Sequence, residues 1–94
     1  MLSMTTQDAD PIDIDPSLVG TLELAGFDVP YVDLEAHPHM ASRLAFGGTQ
    51  YTFDSSFPTK GHSAVMPEAI AEHQQDGKRI LVAERGERYY VYLA

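Results

Sequence analysis

Residues 59–93 read TKGHSAVMPEAIAEHQQDGKRILVAERGERYYVYL, and the fold class turns on this stretch. Met66, Ala69, Ile70 and His73 recur at i, i+3, i+4 and i+7, the spacing of one helical face, with Pro67 suited to a first turn and Gly77 to a stop. Beyond the glycine, residues 80–84 and 88–93 are rich in β-branched and aromatic side chains, the composition of an antiparallel hairpin. Its register depends on the loop. A two-residue Arg85-Gly86 turn would set Glu84 against Glu87, which like-charge repulsion disfavours, and a four-residue loop over 84–87 preserves the pairing of Val82 with Tyr89 and Ile80 with Val91. The four-residue loop is therefore expected. It gives a core face of Ile80, Val82, Tyr89, Val91 and Leu93 and an outer face of Arg79, Leu81, Ala83, Arg88, Tyr90 and Tyr92; a three-residue loop would mix the two sets.

Upstream the periodicity is weaker. Residues 49–54 alternate Tyr51 and Phe53 with polar residues, and residues 29–34 are rich in β-formers, so both are expected to be strands, the second short or at an edge because of Pro30. Asp15 as cap, Pro16 at the first helical position and Gly26 as stop predict a helix over 16–25 with Leu18, Leu22 and Ala25 on one side, although residues 21–24 also read as a strand. Pro38 opens a second helical turn, with Met40, Ala41, Leu44 and Ala45 forming its apolar face before Gly47-Gly48. Residues 11–15 alternate isoleucine with aspartate between prolines, an edge-strand pattern, and residues 55–63 are expected to be a loop. The expected architecture is α+β. Residues 1–10 form a flexible acidic tail, and residues 11–94 form a single domain with a small antiparallel or mixed sheet and two to three short helices, ending in helix plus β-hairpin.

Composition narrows the function classes. With 94 residues there is enough chain for one core, and 44% apolar content is ordinary for a globular domain. The chain has no cysteine, which removes disulfides, thiolate metal sites and cysteine nucleophiles. No apolar run reaches the roughly 18 residues of a membrane span, and the N-terminus lacks the pattern of a secretion signal, so a soluble cytoplasmic protein is expected. The net charge of −8 is unevenly placed: residues 1–42 carry eight acids and no Lys or Arg, while residues 43–94 carry six of each sign. Such a field opposes nucleic acid and anionic membrane and favours a basic partner surface.

Candidate chemistry is sparse. His37 and His39 flank Pro38 beside Glu35, and i, i+2 spacing in an extended segment can aim two imidazoles together, but zinc needs a third ligand that only the fold could bring, from His62, His73 or a carboxylate. Lys60, Gly61, His62 and Ser63 offer hydroxyl, ammonium and backbone donors ahead of a helix, a candidate anion-binding loop without P-loop spacing. Asp54, Ser55, Ser56 and His62 supply the residue types of a hydrolytic triad, but no spacing sets a base on a nucleophile and no Gly-x-Ser-x-Gly elbow is present. No catalytic residue is assigned and no cofactor is implied.

Lys60-Gly61, Val65-Met66-Pro67, Ile70, Gly77 and the run 80–82 together resemble the AbrB/MazE swapped-hairpin DNA-binding unit, over about a third of the chain. The resemblance implies a dimeric DNA-binding regulator that meets DNA through Lys60, Arg79, Arg85 and Arg88. The acidity of the chain favours another function, a small non-catalytic interaction module such as an inhibitor, accessory subunit or regulator. Its candidate partner-binding residues are Asp13, Asp15, Glu23, Asp28, Asp33 and Glu35 in the acidic half, with Arg79, Arg88, Tyr90 and Tyr92 on the outer hairpin face. The expected partner is a protein with a basic surface, including one that itself binds nucleic acid, and a homodimer is allowed. A small metal- or anion-binding enzyme built on His37, His39 and His62 is the third alternative.

Overall fold

The computed structural model describes residues 11–24, 26–37, 40–60 and 65–94. The expected acidic tail, His39 and the Gly61-His62-Ser63 part of the candidate anion loop lie outside the described residues. Among the described residues the fold is a seven-stranded mixed sheet with one α-helix, and this corrects the expectation of a small sheet with two to three helices. In chain order the elements are β1 (Ile12–Asp13), a 3-10 turn (Pro16–Leu18), β2 (Gly20–Leu24), β3 (Phe27–Asp33), β4 (Arg43–Phe46), β5 (Thr49–Pro58), α1 (Val65–Gln75), β6 (Ile80–Arg85) and β7 (Arg88–Leu93). Across the sheet the order is β1-β4-β5-β7-β6-β3-β2, with β1/β4 and β3/β6 parallel and every other pair antiparallel.

Neither segment expected as an upstream helix forms an α-helix among the described residues: β2 takes up residues 20–24 of the first and β4 residues 43–46 of the second. Asp15 does cap a helical start, but Val19 turns extended at φ −86 and ψ 123, so only one 3-10 turn forms. Gly20 and the β-branched Thr21 then favour extension, and Leu22 and Leu24 alternate inward against Glu23 outward. The expected helix stop, Gly26, is instead part of the β2–β3 hairpin turn. Around residue 44 the expected helical turn is replaced by strand, because Gly47 and Gly48, at φ +62 and +79, form the doubly left-handed turn that closes β4 onto β5.

The terminal hairpin has a different register from the expected one. Its two-residue turn is Gly86-Glu87, both at φ 63, so Val82 lies opposite Val91 and Ile80 opposite Leu93. The shift is an even number of residues, so each face keeps its members. What changes is their surroundings. Ile80, Val82 and Val91 pack with Leu24, Val29, Met66 and Ile70 under α1, while Leu81, Ala83 and Tyr92, expected on an outer face, are buried with Ile14, Val32, Leu34, Leu44 and Tyr51 on the other side. Residues 80–83 are buried without a break, as expected for a central strand covered on both faces.

Helix α1 covers the first face, and curling of the sheet covers the second. A flat seven-stranded sheet would hold its edge strands about 29 Å apart, at about 4.8 Å per neighbour. β1 and β2 are those two edges, yet the chain between Asp13 and Gly20 reaches at most about 25 Å fully extended, and less with a 3-10 turn in it. The sheet must therefore curl, which brings Leu44 and Tyr51 from one end onto Val32, Leu81 and Ala83 near the other.

A bulge in β5 serves both cores. The register against β7 shifts between Phe53 and Ser55, so Phe53 faces Tyr92 on the concave side while Phe57, four residues on, packs under α1. Asp54 at the bulge meets α1, its Oδ2 lying 3.1 Å from His73 Nε2.

Candidate functional site

The curl makes the two sheet edges neighbours, and a cavity of about 300 Å³ opens between them. Phe46 of β4 forms one wall; Val19, Thr21, Val29 and Pro30 of the β2–β3 side form the other, with Asp28 at its margin. Thr21 pairs with Pro30 and Glu23 with Asp28, so these four side chains share the concave face, while Leu22 and Val29 pack toward α1.

Backbone polarity at this edge follows from the turn. The two-residue loop makes Leu24–Phe27 a hydrogen-bonded pair, and pair types alternate along an antiparallel ladder, so Glu23–Asp28 and Thr21–Pro30 are non-hydrogen-bonded pairs. Pro30, which has no N–H, fits that assignment, and Leu34 N–H donates to Glu84 O at 2.9 Å, showing the even-numbered residues of this segment turned toward β6. Two consequences follow. Thr21 and Glu23 direct their N–H and C=O groups away from β3, along an edge with which no described strand pairs. Glu23 and Asp28, both exposed, form a like-charged pair at the closer of the two cross-strand spacings, about 4.5 Å between Cα atoms.

The other acids have distinct environments. Asp13 is exposed on β1, the opposite edge strand, and Asp15 begins the short connection between the edges. The Ser17 backbone N–H and hydroxyl both donate to Asp15 Oδ1 at 2.9 Å and hold its carboxyl below the usual carboxylate range. Asp33 Oδ1 accepts from Glu35 N–H at 2.8 Å, and Glu35 Oε2 accepts from Gly86 N–H at 2.9 Å. Arg85 Nε donates to His37 O at 2.9 Å, so Glu35 and His37 clasp the β6–β7 turn.

The expected Arg–Tyr face is divided by the fold. Arg88 donates to Ser56 Oγ at 3.0 and 3.3 Å, and Arg79 to Thr49 Oγ1 at 3.2 Å; both arginines are exposed. Tyr90 is half-buried beside Phe53. Tyr92 lies inside the concave core at 1% exposure, where its hydroxyl donates to Ala41 O at 2.6 Å and burial pushes its pKa up to about 12. On the α1 side the Tyr31 hydroxyl donates to Glu84, and burial together with that carboxylate holds the phenol well above its ordinary range. Lys60 is exposed just beyond β5. Among the described residues no group of three or more His, Asp or Glu is placed to hold a metal ion.

The groove residues Val19, Thr21, Pro30 and Phe46 were not singled out by the sequence. The visible signal was the Thr-Leu-Glu-Leu alternation over 21–24, which as a strand places Thr21 and Glu23 on one face. No protein family, curated protein or solved structure matches the chain.

Proposed function

We propose that the chain is a small, acidic, non-catalytic interaction module, of the kind an inhibitor, accessory subunit or regulator uses, that meets a basic protein surface along the seam where its sheet edges approach. The observation that carries this is the Glu23–Asp28 pair. Two exposed carboxylates opposed at the closer cross-strand spacing repel each other, and a Lys or Arg side chain brought between them relieves that repulsion. Asp13 and Asp15 add to the same field from the neighbouring edge and its connection.

The test compares two charge-matched variants by calorimetric titration with oligolysine. Glu23→Gln/Asp28→Asn neutralises the seam, and Glu72→Gln/Asp76→Asn removes the same charge from exposed positions on and just after α1. Seam neutralisation is expected to weaken binding by at least about threefold more than the control, with affinity falling as salt rises to physiological strength. Equal losses in the two variants, or an affinity indifferent to salt, would overturn the proposal. Mixed-sequence duplex DNA at low salt is expected to show no shift; a shift would favour the swapped-hairpin regulator instead.

A further inference from the structure

We infer that the outer edge of β2 is a docking site for an extended basic segment of a partner protein, which adds to the sheet as an eighth strand beside the Phe46 groove; the inference rests on the interaction-module proposal and specifies how the partner binds. Thr21 and Glu23 offer two outward-facing donor and acceptor pairs at the two-residue repeat that an added strand matches. Side chains of that strand would alternate between the concave face, beside Thr21, Glu23 and Asp28, and the α1 face, beside the half-buried Leu22.

Charge selects the occupant. Lys or Arg on the concave side meets the Glu23–Asp28 pair, and an aliphatic residue on the other side extends the apolar surface around Leu22. A second copy of the same edge is disfavoured because it would bring another Glu23 to the edge. Acidic residues are a common guard against edge-to-edge self-association, and here the guard leaves the edge open to a cationic strand. The N-terminal residues 1–10 carry acids and no Lys or Arg, so charge does not favour them as the added strand either.

The probe is an acetylated peptide of about eight residues alternating lysine and valine, long enough for an ordinary strand. Two further peptides carry N-methyl groups, one on every lysine amide and the other on every valine amide, with the charge unchanged. Antiparallel addition turns the lysine amides toward β2 and parallel addition turns the valine amides, so one methylated peptide is expected to lose at least about tenfold in affinity while the other retains it. Amide exchange at Thr21 and Glu23 is expected to slow on binding the unmethylated peptide. Equal affinity for all three peptides would overturn strand addition while leaving the acidic seam intact. Failure of the lysine-valine peptide alongside retained oligolysine binding would also overturn it, and failure of oligolysine as well would remove the underlying interaction-module proposal.

Discussion

Glu87 sits at φ 63, a left-handed conformation that a side chain with a Cβ enters at a cost of about 1–2 kcal/mol. Replacing it by glycine is expected to raise the unfolding free energy by about 1 kcal/mol, and an unchanged or lower denaturant midpoint would show that the turn carries no such strain. Tyr92 is the second informative position. Burial raises its folded-state pKa to about 12, above the unfolded value near 10, so the folded protein binds the phenolic proton more tightly. That contribution is complete below about pH 10 and is lost as pH rises toward the folded value; Tyr31 and Tyr89 act in the same direction. Tyr92→Phe should cost about 1 kcal/mol at pH about 8 through loss of the bond to Ala41 O, and it should flatten part of the decline between pH about 10 and about 12. Parallel declines in variant and parent would contradict the assignment. Neither feature was legible in the sequence: the Glu87 conformation depends on a hairpin register two residues away from the expected one, and the burial of Tyr92 depends on the curling of the sheet.

The β5 bulge makes one strand serve two cores. Deleting Asp54 would restore simple alternation and turn Phe57 from the α1 side to the concave side, at a cost of at least about 2 kcal/mol, whereas Asp54→Ala, which removes only the partly exposed pair with His73, should cost less than about 1 kcal/mol. Urea melts of both variants measure the difference, and equal costs would show that the bulge is dispensable. Helix α1 was legible because one face is apolar and the other solvated: Met66 and Ile70 are buried while Glu68 and Glu72 are exposed. The segments misread as helices had apolar residues too few to separate the two periods, and a cap at Asp15 that starts only a single 3-10 turn. Leu81 and Tyr92 were misplaced for another reason. Strand alternation distinguishes two faces, but it does not show that curling will bury both.

For the molecule as a whole, chain order and sheet order oppose each other: β1 and β2 are neighbours in sequence and opposite edges of the sheet. Their short connection forces the sheet to curl, the curl forms the second core, and the same closure sets Asp28, paired with Glu23, beside an apolar groove. The acidity of residues 1–42 was plain from the sequence, but its placement was not, because the pairing of β1 with β4 is set by contacts far apart in the chain. A backbone amide NMR titration with oligolysine locates the recognition surface residue by residue. The largest shifts are expected at Thr21, Glu23, Asp28 and Phe46, diminishing as salt rises. Shifts centred instead on Glu68, Glu72 and Asp76, or spread evenly over all exposed acids, would contradict a seam built to receive a basic partner.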